Sequence, residues 1–298
     1  MTEYAGSLSQ QQRRNDLSRL QRSAWFVLFL ACGLLVFVVF SHYYPIFNGS
    51  LDLYGRIGVT LFFLIAALLA RSSHRLHRYW QMLFAFGTAC AAISVDYLLG
   101  LSKWLLPALN IGAETPAGWA IDKLESSLLS VVVILALTLA SRQSLASLYL
   151  RRGRLWLGLV VGLAVFVVMV ATAIPLAELQ FGGSNLSWQR ILPWTPWVLI
   201  FILANAFNEE LLFRGLFLGR LEPFMGKFAA NLLMAIPFTL MHTGANYTPD
   251  VLLFLGMLFP LSLAWGWLMQ KTDSIWGSVL FHAAMDIPIV LGIFSSLS

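Results

Sequence analysis

The sequence is poor in charged residues: Asp, Glu, Lys and Arg make up 11% of its 298 residues, against roughly 25% in soluble domains. So few charges cannot cover the surface of a soluble globule of this size, and 59% of the residues are hydrophobic. The mean hydropathy is +0.77. Because the net charge of +5 lies on an overwhelmingly apolar chain, disordered and nucleic-acid-binding proteins are excluded. The composition predicts a polytopic membrane protein.

Cysteine is also scarce, and several catalytic signatures are missing. Cys32 and Cys90 both lie inside apolar runs, where thiols behave as small hydrophobes, so no disulfide framework or cysteine metal site is predicted. The sequence contains no H-E-x-x-H, no G-x-S-x-G and no G-x-x-x-x-G-K-[ST]. The local signatures of zinc peptidases, serine hydrolases of the nucleophile-elbow type and P-loop enzymes are therefore absent.

Nine apolar stretches approach the roughly 20 helical residues that a bilayer core of about 30 Å requires. They are residues 23–40, 53–70, 79–101, 126–141, 155–177, 194–214, 228–243, 251–269 and 275–296. Two of these stretches, 126–141 and 228–243, are short. We predict an all-α transmembrane helical bundle of about eight to nine spans, whose first span is retained rather than cleaved as a signal peptide.

Basic residues predict the orientation of this bundle. With a cytoplasmic N-terminus, the inner segments hold 15 basic residues, and the outer segments hold Arg56, Lys103, Lys123 and Arg190. Cytoplasmic loops are enriched in lysine and arginine, so we expect a multi-pass protein of the cell membrane with its N-terminus in the cytoplasm. The longest loop, 102–125, is expected on the outer side, and no soluble domain is predicted.

Ionisable side chains inside the predicted spans are concentrated near the C-terminus, whereas the third span contains only Asp96. An ionisable residue inside a span costs about 2.5–3.5 kcal/mol on insertion scales and is a functional candidate. The clustered residues are Glu209, Glu210, Arg214, His242, His282 and Asp286. We therefore predict a polar site there and divide the chain into a polar cytoplasmic segment (1–22), accessory helices (23–193) and catalytic helices (194–298).

Helical spacing relates these residues to one another. Glu210 and Arg214 are four residues apart, which predicts a mainly structural ion pair within one helix. Asn205 and Glu209 have the same spacing on a neighbouring face. His282 and Asp286 repeat it, so that a carboxyl group can orient the imidazole. Two further residues stand one turn from a histidine: Phe238, a packing wall for His242, and Ser278, a weak candidate nucleophile beside His282.

This set of side chains suits the activation of water. A carboxylate or an imidazole accepts the proton, and a second polar pair stabilises the oxyanion of a tetrahedral intermediate. The same groups could instead hold a metal, so zinc at Glu209, His242, His282 or Asp286 is the alternative. Because no tight metal-ligand motif is present, we expect no cofactor.

Three motifs resemble those of a known family. Residues 209–214 read as E-E-x-x-x-R, residues 238–242 as F-x-x-x-H and residues 282–286 as H-x-x-x-[ND]. In this order, they resemble the CPBP (Abi) family of CAAX-type prenyl endopeptidases and bacterial relatives linked to bacteriocin processing and self-immunity. The resemblance covers roughly residues 194–290. It implies an intramembrane endopeptidase whose helical bundle holds a polar cavity open to the cytoplasm.

The resemblance also implies roles for individual residues. Glu209 would match the catalytic glutamate and His242 its partner in water activation, while His282 and Asp286 would match the pair that stabilises the oxyanion. The implied mechanism is that of a glutamate protease without an obligatory metal. The supporting residues would be Glu210 and Arg214, with Asn205 and Phe238 beside them.

Asp286 departs from the CAAX branch, which typically has Asn at this position. An ionised carboxylate cannot donate a hydrogen bond to an oxyanion, so Asp286 must be protonated, orient His282 or bind a cation. The departure keeps the metal alternative open and makes a prenylated substrate less certain. The expected partners are a peptide or membrane-protein substrate and membrane lipid, with no nucleic acid.

Depth along the bundle is an obstacle to this site. Counted from the inner ends of their spans, Glu209 and His282 lie about 7–11 Å deep and His242 about 21 Å, at 1.5 Å per residue. An upright bundle would keep His242 apart unless Pro237 kinks its helix, and a cytoplasmic start nearer Asn231 would also lessen the mismatch.

Two other functions are alternatives on the sequence. One is a proton- or ion-coupled transporter in which Glu209, His242 and Asp286 form a relay, although the first half of the chain offers almost no intramembrane charge. The other is a non-catalytic immunity or scaffold protein of the membrane.

Overall fold

The computed structural model describes residues 19–40 and 49–297. Within these ranges the regular structure is entirely helical, which confirms the all-α prediction. Most of the predicted polar segment 1–22 lies outside the described residues. The helices are α1 (Arg19–Val39), α2 (Ser50–Ser72), α3 (Trp80–Leu99), α4 (Ser102–Ala108), α5 (Pro116–Ala140), α6 (Leu155–Gln180), α7 (Thr195–Glu209), α8 (Leu218–Met225), α9 (Lys227–Met241), α10 (Val251–Thr272) and α11 (Trp276–Ser296).

Eight helical runs in the described part of the chain are long and apolar enough to cross a membrane. They correspond to eight of the nine predicted spans, and together they make this a multi-pass membrane protein. One run, Trp188–Met225, has 38 residues and contains α7 and α8, joined by the π-helical segment Glu210–Gly215. The predicted end of this span at residue 214 is therefore wrong, because the helical run continues for a further eleven residues.

The remaining predicted span, 228–243, corresponds to α9, which has only 15 residues. It nevertheless runs antiparallel to α10. The backbone oxygen of Lys227 accepts a hydrogen bond from Gln270, and the ring of His242, just beyond α9, lies 6.2 Å from that of Phe254. The chain thus passes through the bundle in α9, a helix shorter than a full span, and returns beside it in α10.

The start of α5 corrects the predicted loop 102–125. Thr115 caps this helix by accepting a hydrogen bond from the backbone N–H of Gly118 at 3.0 Å, and Pro116 occupies its first position. Proline is well suited there because it has no N–H to leave unpaired. The helix therefore begins ten residues before the predicted span, and Lys123 belongs to it rather than to a loop.

Arg56 was assigned to an outer segment, but the structure buries it completely. Its Nε donates to Asp52 Oδ2 at 2.9 Å, and its Nη1 donates to the backbone oxygen of Phe40 at 2.7 Å. The guanidinium also lies 4.1 Å from the ring centre of Tyr97. A buried charge is tolerated only when it is paired in this way. The first half of the chain thus carries an ion pair that the sequence analysis missed, and the pair ties α2 to α1 and α3.

One end of the bundle, called the basic end below, gathers the start of α1, the α2–α3 and α5–α6 connections, α8 and the α10–α11 turn. The ring of Tyr79 lies 4.7 Å from that of Trp25 and 5.8 Å from that of Phe224. Tyr149 donates to Glu222 at 3.2 Å. Burial and the adjacent Glu222 carboxylate raise the pKa of Tyr149, so the phenol stays neutral.

The opposite end, called the cavity end below, gathers the α3–α5, α6–α7 and α9–α10 connections and the end of α11. Glu125 accepts a hydrogen bond from the backbone N–H of Leu101 at 3.0 Å. The backbone N–H of Ser184 donates to Ser295 Oγ at 3.2 Å. The first bond joins α5 to the end of α3, and the second holds the C-terminal end of α11 beside the α6–α7 connection.

Close packing of α6 against α11 positions the helix that carries two of the predicted site residues. A Cβ atom added to Gly158 would lie 3.1 Å from the Cα of Gly277. One added to Gly162 would lie 2.9 Å from the Cβ of Leu280. Small residues at this spacing let two membrane helices approach closely, and here they fix the height of α11 against α6.

We expect Gly277→Ala to destabilise the protein, because the added methyl group would collide with the backbone of Gly158. Overpacking of this kind costs about 1–3 kcal/mol. The matched control is Gly256→Ala in α10, where a Cβ would meet nothing within 4 Å. Thermal unfolding in detergent should show a lower midpoint for Gly277→Ala only. Equal midpoints for the two variants would contradict the close α6–α11 contact.

Candidate active site

The first motif lies where the helix changes its winding. Glu209 is the last residue of α7, and Glu210 and Arg214 belong to the π-helical segment that follows. Arg214 Nη1 donates to Glu210 Oε1 at 3.1 Å, and both side chains are inaccessible to solvent. The predicted intrahelical ion pair is therefore present in the structure.

Glu210 connects the first motif to α11. Its Oε1 lies 2.9 Å from His282 Nδ1, and its Oε2 accepts a hydrogen bond from Ser278 at 2.7 Å. With Arg214, three groups thus surround one buried carboxylate. Because Ser278 is bonded to Glu210 and lies 3.0 Å from the backbone oxygen of Trp265, it is not arranged as a nucleophile for His282.

Arg214 extends the same network to α10. Its Nη2 donates to Ser262 Oγ at 2.6 Å and lies 3.3 Å from the backbone oxygen of the same residue. The guanidinium also lies 4.2 Å from the ring centre of Phe238, a distance at which an aromatic face attracts a cation. Ser262 was not predicted, because a serine in an apolar helix has no distinctive sequence signal.

The bond to Glu210 determines which nitrogen of His282 faces the cavity. Since Nδ1 is directed at a carboxylate that accepts hydrogen bonds, Nδ1 carries a hydrogen. Nε2 then points to the other two carboxyl groups of the site. It lies 3.5 Å from Glu209 Oε2 and 3.7 Å from Asp286 Oδ1. The structure thus brings Glu209, His282 and Asp286 together, as the motifs predicted.

Trp265 is the main site residue that the sequence analysis missed. Its ring is nearly parallel to that of His282, at 6°, with the centres 3.9 Å apart. Phe238 lies on another side of the imidazole, with the ring centres 6.0 Å apart in an edge-on arrangement. The two aromatic rings leave His282 little freedom to rotate. Trp265 has no distinctive sequence signal, because it lies four residues before the end of a predicted span, near the interface where membrane tryptophans are common.

His242 lies in the single 3₁₀ turn that follows α9. Its Nδ1 is 2.8 Å from the backbone oxygen of Phe238, an acceptor, so Nδ1 carries the hydrogen and the neutral ring has its lone pair on Nε2. The ring lies 4.9 Å from that of Phe238, which also contacts His282. The depth difference calculated from the sequence therefore does not keep His242 away from the other site residues.

Asp286 has a partner that spacing could not predict. Asn205 Nδ2 donates to Asp286 Oδ2 at 3.0 Å, joining α7 to α11. The sequence analysis had grouped Asn205 with Glu209 on adjacent faces of one helix. In the structure the amide holds the carboxyl group of the third motif, leaving Asp286 Oδ1 on the side of His282.

A large cavity of about 1250 Å³ lies in front of Glu209 and His242. Its outer walls come from the cavity end of the bundle, including Asp96, Lys103 and Asn246. A smaller, mainly apolar chamber of about 210 Å³ adjoins it and reaches His282, Asp286 and Trp265. The cavity thus lies at the end opposite the basic end, so the two expectations of a cytoplasmic N-terminus and of a cavity open to the cytoplasm exclude each other.

Metal binding is a separate question from this geometry. Among the described residues, no group of three or more His, Cys, Asp or Glu side chains is arranged to hold a metal ion. His282 Nδ1 is engaged by Glu210, so Nε2 is the nitrogen that could serve as a ligand.

Comparison with known proteins supports the resemblance seen in the motifs. Residues 191–288 match the model of a family described as Type II CAAX prenyl endopeptidase Rce1-like. The match confirms the predicted resemblance to CAAX-type proteases over about a third of the chain and includes all three motifs. No curated protein and no solved structure matches the chain.

We expect the two adjacent glutamates to respond differently to the same substitution. Glu210→Gln should lower the unfolding midpoint strongly, because it leaves the buried guanidinium of Arg214 without its counter-charge; breaking a buried pair costs about 3–5 kcal/mol. Glu209→Gln, the matched control one residue away, should unfold close to the wild type. Thermal unfolding in detergent checks both. A Glu210→Gln variant as stable as Glu209→Gln would refute the structural role of this pair.

Proposed function

We propose that this chain is an intramembrane endopeptidase of the CAAX-protease type, in which Glu209 and His242 activate water. The observation that carries the proposal is the convergence of Glu209, His282 and Asp286 around the small chamber that adjoins the large cavity. These residues lie in the segment that matches the endopeptidase family. Residues 194–298 would form the catalytic part and α1–α6 the accessory part, with α5 and the end of α3 completing the cavity wall.

Glu209 is the proposed general base. Its carboxylate accepts one proton from a water molecule in the cavity, and the resulting hydroxide adds to the carbonyl carbon of the substrate peptide bond. His242 helps to position this water, because its Nε2 lone pair can accept the second hydrogen. Positioning of both groups around one water is the part of the mechanism that the shared cavity supports.

His282 is the proposed partner of the oxyanion that forms when the carbonyl electron pair moves onto oxygen. Nε2, when protonated, donates to that oxygen, while Glu210, hydrogen-bonded to Nδ1, stabilises the positive imidazolium. Asp286 orients His282 and is itself held by Asn205. Of the three roles that the sequence left open for Asp286, the proposed one is therefore the orientation of His282.

Collapse of the tetrahedral intermediate completes the hydrolysis. The carbon–nitrogen bond breaks, and the proton held by Glu209 passes to the departing amine, so that Glu209 returns to its starting state. The products are a new carboxyl terminus and a new amino terminus. The substrate would be a peptide or a membrane protein.

We expect Glu209→Gln and His242→Ala each to reduce the cleavage rate by at least about a hundredfold, since general acid–base groups typically contribute 10²–10⁴-fold. Both proteins should remain folded. The control is Glu178→Gln, an exposed carboxylate near the end of α6, which should cleave like the wild type. Comparing peptide-cleavage rates of the purified proteins tests this. A Glu209→Gln variant with most of its cleavage activity would show that another group is the base. A protein that keeps its cellular function although it cleaves no peptide would favour a transporter or a scaffold.

We expect Asp286→Asn to keep its cleavage rate within about tenfold of the wild type. The asparagine oxygen can still accept the bond from Asn205, and the NH2 group that replaces Oδ1 can donate to Nε2 of a neutral His282. If Asp286 were a metal ligand, loss of its charge would weaken metal binding and chelators would silence the wild type. The measurement is peptide cleavage by both proteins with and without chelator, beside metal analysis of the wild type. Stoichiometric zinc together with an inactive Asp286→Asn protein would contradict the metal-free mechanism.

A further inference from the structure

Lysine and arginine are concentrated at the basic end of the bundle. Residues 71–78 hold three arginines and residues 142–154 hold four. Arg220 and Lys227 lie at the same end, where Arg220 bonds to Gln143 and the backbone of Lys227 to Gln270. Basic residues flanking membrane spans are retained on the cytoplasmic side, where the lipid surface is also anionic. The packing shows that segments scattered along the sequence form one basic surface.

The mouth of the cavity has the opposite character. Four of the side chains that line it are acidic (Asp96, Glu114, Asp122 and Glu125), and two are lysines. They come from the end of α3, from the α4–α5 connection and from the first turns of α5. All of these elements lie at the cavity end, the full length of the bundle from the basic surface.

Buried side chains separate the site from the basic end. Glu210 and Arg214 lie just beyond Glu209 and are fully inaccessible. Next come Leu216 and Leu148, which are also fully buried, and then the bond between Tyr149 and Glu222. A peptide that approached from the basic end would have to break this ion pair and unpack these side chains.

From these three observations we infer that the active-site cavity opens on the non-cytoplasmic face of the membrane. On the proposed peptidase function, the substrate is then an extracytoplasmic segment of an exported or membrane-anchored protein. A cytoplasmic C-terminal tail would meet the closed, basic end of the bundle.

The test uses single cysteines in a protein whose native Cys32 and Cys90 are replaced by alanine. Asn246→Cys places a thiol at the cavity mouth, and the matched Ser144→Cys places one at an exposed position of the basic end. A membrane-impermeant maleimide is added to intact cells and to permeabilised cells. Ala113→Cys, exposed at the cavity end, provides a second probe there if Asn246→Cys fails to fold.

We expect the Asn246→Cys protein to react in intact cells and the Ser144→Cys protein to react only after permeabilisation. The reverse pattern would overturn the orientation and leave the Glu209 mechanism untouched. The substrate class is tested by mass spectrometry of peptide termini in cells with the wild type or Glu209→Gln. Termini that disappear in the variant should map to extracytoplasmic segments; cytoplasmic positions would overturn the substrate class. Unchanged termini together with the expected labelling would instead refute the peptidase function alone.

Discussion

The buried carboxylate of Glu210 is the constraint on which the rest of the site depends. A charge without access to water is tolerated only when its hydrogen-bonding capacity is filled, and Glu210 is filled by Arg214, His282 and Ser278. Each of these partners also fixes the position of a neighbouring helix. Arg214 secures α10 through Ser262, and the two residues of α11 set the height and the orientation of the helix that carries Asp286.

The two consecutive glutamates acquire different roles from their surroundings alone. Glu210 points into the protein and is saturated by donors, so it is suited to hold other groups in place. Glu209 faces the cavity, where water can reach it, and its nearest described partner is His282 Nε2 at 3.5 Å. The same side chain can thus serve as a structural anion or as a base, depending on how many donors already occupy it.

The sequence predicted the parts of the site that lie within single helices, because spacing of four residues places side chains on one face. It could not predict partners on different helices, such as Asn205 with Asp286, or residues without charge, such as Trp265. The predicted helix bounds were wrong where a cap or a change of helical winding sets the bound, as at Pro116. The sequence also could not predict the end of the bundle at which the cavity opens. The motif residues lie on helices with loops at both ends, and the loops at either end could have closed the cavity.

The most direct test of this account is the protonation of His282 in the folded protein, measured by side-chain nitrogen NMR with histidine-specific labelling. The account predicts that Nδ1 of His282 carries a hydrogen that is strongly bonded to Glu210, and that this signal is lost in a folded Glu210 variant. A His282 ring whose Nδ1 is unprotonated in the wild type would contradict it, because Nδ1 would then have no hydrogen to donate to Glu210, and Glu210 could not stabilise the imidazolium whose Nε2 donates to the reacting carbonyl oxygen.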